Sequence, residues 1–105
     1  MKTITVHELK SLRENGEDHQ LIDVREPFEY EIANLQGELI PVAEAVGAQD
    51  RIARDRKVII HCRSGVRSGN VLRVLEERYG FDNLYNLEGG IAAWAMEIDP
   101  SMPRY

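Results

Sequence analysis

Apolar positions along the chain switch repeatedly between two spacings, and the switches lay out an alternation of strands and helices. Thr5-Val6-His7-Glu8 has the form of a capping box, and Val6, Leu9 and Leu12 then make one apolar stripe that runs to about Asn15-Gly16. Leu21-Ile22-Asp23-Val24 is short and mostly apolar, which predicts a strand. Glu26-Pro27 then opens a short helix through Ile32. Leu39-Ile40 before Pro41 predicts another short strand. Residues 43–54 are weakly helical, with Val46 and Ile52 as the inward positions. Lys57-Val58-Ile59-Ile60-His61-Cys62 is the strongest strand, continuously apolar and β-branched as a central parallel strand should be. Ser68, Val71, Leu72, Leu75 and Tyr79 follow helical spacing, and Gly80 ends that helix. Leu84-Tyr85-Asn86-Leu87 predicts a final strand, and Gly89-Gly90 leads into a last helix through Ile98. Alternation of this kind predicts an α/β fold: a central parallel sheet with helices on both faces and ligands at the carboxyl ends of the strands.

Length and charge narrow the picture. The 105 residues suit one domain, with no repeat, linker or low-complexity stretch to divide it. A formal charge of −5 argues against nucleic acid or an anionic membrane as the main partner. No apolar stretch approaches the roughly 18 residues of a membrane span. The start, Met1-Lys2-Thr3-Ile4-Thr5, lacks a signal-peptide core, and a single cysteine forms no internal disulfide. Both features predict a cytoplasmic protein.

That one cysteine carries the chemistry. Cys62 ends the strongest strand and is followed by Arg63, Ser64, Gly65, Val66, Arg67 and Ser68 before a helix begins. A thiol placed there meets converging backbone N–H groups and the positive end of a helix dipole, which stabilise the nucleophilic thiolate. Arg63 and Arg67, in a net acidic chain, read as a local anion site. Ser64 and Ser68 either satisfy loop and helix-start N–H groups or contact the sulfur. Gly65 permits an unusual backbone angle. His61 precedes Cys62 on the strand and should point to the opposite face, which argues against a Cys–His dyad. His7 and His19 lie in other segments without metal-ligand spacing, so neither metal nor organic cofactor is expected. Asp23 and Arg25 read as hydrogen-bonded scaffolding rather than substrate ligands, and Trp94 as helix packing against the sheet.

Leu21-Ile22-Asp23-Val24-Arg25-Glu26-Pro27 with Glu29-Tyr30, the Cys62 loop, and Asn86-Leu87-Glu88-Gly89-Gly90 with Trp94 together resemble a single-domain rhodanese over about residues 3–98. The resemblance implies the three-layer rhodanese-like fold, with residues 99–105 as a C-terminal tail. It also implies a sulfurtransferase that carries sulfane sulfur as a persulfide on Cys62, fed by thiosulfate or a protein persulfide. Cys62 would be the catalytic residue, and Arg63, Ser64, Gly65, Val66, Arg67 and Ser68 would form the substrate-binding loop. The chain departs from the family pattern at Ala33-Asn34-Leu35 and at Gly37-Glu38. Cysteine phosphatases of related fold resemble the loop but place five residues between Cys and Arg, where this chain has four; the tighter loop favours sulfur over a tetrahedral oxyanion. The alternatives are such an oxyanion enzyme, a phosphatase or arsenate reductase, and a non-catalytic binding domain of the same fold. The tail and the segment around Glu29-Tyr30 are similar to those of rhodanese domains fused to adenylyltransferases of sulfur carriers. That similarity implies a cysteine desulfurase as donor and a ubiquitin-like sulfur carrier, or its activating enzyme, as partner.

Overall fold

The strands β1 (Lys2–Ile4), β2 (His19–Asp23), β3 (Glu38–Leu39), β4 (Lys57–His61) and β5 (Leu84–Leu87) form one parallel sheet, in the order β1-β5-β4-β2-β3. This is the arrangement in the computed structural model, which describes residues 1–105. The helices are α1 (Val6–Glu14), α2 (Pro27–Ile32), α3 (Val42–Ala45), α4 (Val66–Tyr79) and α5 (Gly90–Glu97), with one 3-10 turn at Gln49–Arg51. The expected α/β architecture, with helices on both faces of a parallel sheet, is the one observed.

Alternation along β4 explains the two faces. Val58, Ile60 and Cys62 join a core with Val71, Leu72 and Leu75 of α4. Ile59 points the other way, into a core with Leu9 and Leu12 of α1 and Ile91 of α5. Each fully buried branched side chain contributes roughly 1.5–3 kcal/mol of transfer free energy, so both layers are held by ordinary apolar burial. The capping box of α1 is formed as expected: the Glu8 N–H donates to Thr5 Oγ1 at 3.1 Å and the Thr5 N–H to Glu8 Oε1 at 2.9 Å. No helix is long and apolar enough to cross a membrane.

Three details differ from the sequence reading. β1 was not foreseen, because only Ile4 of its three residues is buried and an edge strand of mostly polar residues leaves no apolar run. It pairs with β5 through Lys2↔Tyr85, Thr3↔Asn86 and Ile4↔Leu87. β2 begins at His19 rather than Leu21, since the polar His19 and Gln20 still pair with Lys57 and Val58. Residues 43–54 do not form one helix; α3 ends just before Gly47 and the chain resumes as the 3-10 turn, burying Ala45 in place of Val46 and Ile52 as expected.

The strand order locates the site. From β2 the chain moves outward to β3, whereas from β4 it moves the other way to β5. The two connections therefore part company at the carboxyl ends of β2 and β4, and a crevice opens there. Asp23 and His61 are register partners at that edge. Arg25 follows the first strand and Cys62 the second.

Candidate active site

The loop after β4 wraps its own backbone around the Cys62 sulfur. The Gly65 N–H donates to Sγ at 3.1 Å and the Ser68 N–H at 3.5 Å, while the Ser68 hydroxyl lies 3.3 Å away. Gly65 makes this curl feasible, because its φ of +105° lies in the left-handed region that side chains avoid. It immediately precedes α4, whose positive dipole end faces the loop. Burial pushes the thiol pKa up. The Ser68 hydroxyl and the N–H groups of Ser68, Gly65 and Ser64 together outweigh that and hold the thiol below its ordinary value. Activity should therefore rise with pH through a midpoint lower than the free thiol's, about 8.5. Ser68→Ala should move that midpoint upward, read from the ultraviolet absorbance of the thiolate. A variant titrating with the wild type would show that the hydroxyl does not hold the anion.

Two residues without an assigned role hold the loop from behind. Asn86, on β5, accepts the Ser68 hydroxyl at 2.6 Å and donates from Nδ2 to the Gly65 carbonyl at 3.0 Å. The Ser68 proton can turn from Asn86 to the sulfur as the thiolate forms. Gly90 starts α5 so close to the loop that a Cβ there would lie 2.5 Å from the carbonyl oxygens of both Cys62 and Arg63. That approach lets the Ile91 N–H reach the Cys62 carbonyl and the Ala92 N–H the Arg63 carbonyl, each at 3.0 Å. A second helix N-terminus thus satisfies the loop backbone.

The side chains of the remaining loop residues make no hydrogen bond to the sulfur. Arg67 makes a two-pronged ion pair with Glu29, Nη1 to Oε1 at 2.7 Å and Nη2 to Oε2 at 3.0 Å. Arg63 donates Nε to the Arg104 carbonyl at 3.1 Å, and its guanidinium lies 5.3 Å from the Tyr105 ring centre. Ser64 and Val66 are exposed. Of the residues named from sequence, Cys62, Gly65 and Ser68 meet at one point, with the Ser64 amide beside them. Glu29 was missed because an acid in a short amphipathic helix carries no local mark of its partner 38 positions away.

Asp23 and Arg25 are scaffolding. Both are wholly buried, and Arg25 donates Nε and Nη2 to the Asp23 carboxylate at 2.8–3.1 Å. Arg25 also reaches the carbonyls of Ala33 at 2.6 Å and Glu29 at 3.3 Å, tying α2 to the end of β2. The departure at Ala33-Asn34-Leu35 leaves this tie intact, because the contact is to a backbone carbonyl that any residue supplies.

His61 is buried with Nδ1 3.2 Å from the Cys62 carbonyl and Nε2 3.6 Å from Asp23 Oδ2; it has no contact with the sulfur. Its pKa is lowered by burial, against the opposing pull of Asp23 and the Cys62 carbonyl. The unfolded chain protonates this histidine near its ordinary value of about 6.5 and the native state resists, so the unfolded state binds more protons and stability falls as pH drops below about 6.5. His61→Leu should show a flatter acid-side decline in urea midpoint between about pH 7.5 and pH 5.5. An identical decline would assign the acid sensitivity elsewhere.

No group of three or more His, Cys, Asp or Glu is placed to hold a metal ion. A family model described as Rhodanese-like domain matches residues 5–97. The chain is 36% identical over 106 residues to a probable adenylyltransferase/sulfurtransferase MoeZ of Mycobacterium tuberculosis, covering 98% of this chain but only 27% of that protein. It is 36% identical over 101 residues to the putative sulfurtransferase YtwF of Bacillus subtilis, covering 95% of this chain and 96% of that one. A solved rhodanese-like domain protein from Staphylococcus aureus superposes with a TM-score of 0.83 at 32% identity, over 98% and 97% of the two chains.

Proposed function

The chain belongs to the rhodanese-like family, and from that premise we propose that it is a sulfurtransferase that carries sulfane sulfur as a Cys62 persulfide. The observation that carries this reading is the ring of donors on one sulfur, from Gly65, Ser68 and the Ser68 hydroxyl. A cradle of that size accepts an S⁻ or the terminal sulfur of a persulfide anion. Each charge-assisted bond to such a sulfur counts for roughly 1.5–3 kcal/mol before competing costs.

The Cys62 thiolate attacks the outer sulfur of a donor, thiosulfate or a protein persulfide, and releases sulfite or a thiolate. The persulfide then passes its terminal sulfur to a thiophilic acceptor. No general base is required, because the loop and helix dipole supply the thiolate. Cys62 is only 1% exposed, so the approach to its sulfur suits a slender S–S group. Around the loop, Phe28 and Val66 remain exposed and offer an apolar rim to a protein partner. A relative whose name joins adenylyltransferase to sulfurtransferase is consistent with the acceptor we propose, an adenylylated ubiquitin-like carrier with its activating enzyme; the donor we propose is a cysteine desulfurase. Ordering a flexible carrier tail costs entropy, so that encounter would be transient.

The test is intact mass after exposure to thiosulfate, or to a cysteine desulfurase with its substrate. A gain of one sulfur, removed by cyanide or by the adenylylated carrier, is the expected result. No added sulfur from either donor would overturn the reading.

A further inference from the structure

Two of the three guanidinium groups around the cysteine loop, those of Arg25, Arg63 and Arg67, are neutralised. Arg25 is locked to Asp23 with both side chains fully buried. Arg67 is 38% exposed at its side chain, whereas the Glu29 carboxylate it grips is 6% exposed. Glu29 is held in place as well as holding: its Oε1 accepts the Glu26 N–H at 3.0 Å, and its backbone carbonyl receives Arg25 Nη1. The Arg67 guanidinium holds the Glu29 carboxyl below the usual range despite its burial, so the carboxylate is charged at neutral pH. Arg63 alone lacks a carboxylate partner. Of the guanidinium groups around the loop, Arg63 alone is thus left uncompensated, and it is turned toward the C-terminal residues, beside two ion pairs of no net charge.

Resting on the sulfurtransferase reading above, we propose that Glu29 is a specificity-determining residue: by neutralising Arg67 it turns the Cys62 site from the thiosulfate dianion toward persulfide donors. With a persulfide R–S–S⁻, the thiolate bonds to the outer sulfur, the R–S bond to that sulfur breaks, and its electron pair leaves on R–S⁻. With thiosulfate the same displacement releases sulfite. Neither needs an oxidant or a reductant, and charge is conserved in both. The two donors differ in the charge they bring toward the thiolate, two negative against one, and a free Arg67 would favour the dianion.

The experiment measures second-order rate constants for Cys62 persulfidation, by quenched-flow intact mass, with thiosulfate and with the persulfide of N-acetylcysteine methyl ester. The readout is the ratio of the two constants, which general damage to the fold leaves unchanged. Glu29→Gln keeps the shape and the Glu26 contact but removes the charge; the thiosulfate-to-persulfide ratio should rise roughly tenfold, and the gain should shrink as salt is added. Arg67→Gln should move the ratio roughly tenfold the other way, since it leaves Glu29 uncompensated. The double variant should return close to the wild-type ratio. An unchanged ratio in either single variant, or a rise in Glu29→Gln that persists in the double variant, would overturn the proposal while leaving sulfur transfer intact. Wild-type Cys62 that takes sulfur from neither donor would overturn the sulfurtransferase reading, and the proposal with it.

Discussion

Cys62→Ser is expected to remain folded and to lose sulfur transfer by roughly a thousandfold or more. The two halves of that expectation have different causes. A serine hydroxyl stays protonated at neutral pH, so the cradle has no anion to present and an S–O product has no equivalent onward step. The fold is another matter, because the oxygen can still accept the Gly65 N–H that now reaches Sγ. The side chain also sits at the rim of a core whose bulk comes from Ile60, Val71 and Leu72. Its stability should therefore change by about 1 kcal/mol or less. Thiosulfate-to-cyanide transfer and the intact-mass assay read the first half, and urea denaturation the second. Transfer retained near the wild-type rate would remove Cys62 from the mechanism.

Gly90→Ala is expected to be the most damaging single methyl in the chain. Gly90 has φ of +57°, and the new Cβ would meet two carbonyl oxygens at 2.5 Å, both backbone and both bonded to α5. Left-handed strain and overpacking each contribute about 1–3 kcal/mol, for a combined loss of roughly 2–6 kcal/mol. Gly80→Ala is the control. Gly80 has a similar φ of +67° but nothing within 4 Å of the added atom, so only the backbone strain of about 1–2 kcal/mol applies. The second consequence is chemical. Pushing α5 from the loop strips the Ile91 and Ala92 N–H groups from the Cys62 and Arg63 carbonyls and disturbs the cradle. Persulfidation by Gly90→Ala should slow even at temperatures where it is folded, while Gly80→Ala keeps the wild-type rate. Equal urea midpoints for the two variants would refute the close-approach account of Gly90.

Much of the fold was legible because its elements are locally marked. The β-branched run at 57–62, the Thr5–Glu8 box, and the glycine that ends α4 each encode an element within a few residues. Short or polar elements were not marked. β1 exists because β5 offers it a ladder, and residues 43–54 divide at Gly47 because Ala45 and Ile52 both reach one core. Neither fact belongs to the segment itself.

The site divides the same way. A lone cysteine at a strand end before a Gly- and Ser-containing loop and a helix is set out in order along the chain, so the candidate nucleophile and its loop were readable there, and the family by the resemblance of that loop together with the Leu21–Tyr30 and Asn86–Trp94 segments. The sequence by itself determined that amides following the cysteine would reach back to its sulfur, as those of Gly65 and Ser68 do, because the loop between strand and helix is so short. Tertiary structure decided what stands behind that loop. Asn86 arrives from a neighbouring strand, Gly90 from the helix after it, and Glu29 from the far side of the crevice, each many residues from Cys62. It also decided that the Arg67 hydrogen bonds go to Glu29 rather than to the sulfur. Local pattern reports the spacing of groups along a chain; which distant charge neutralises which depends on how strands order in the sheet, and that is settled only when the whole core is buried.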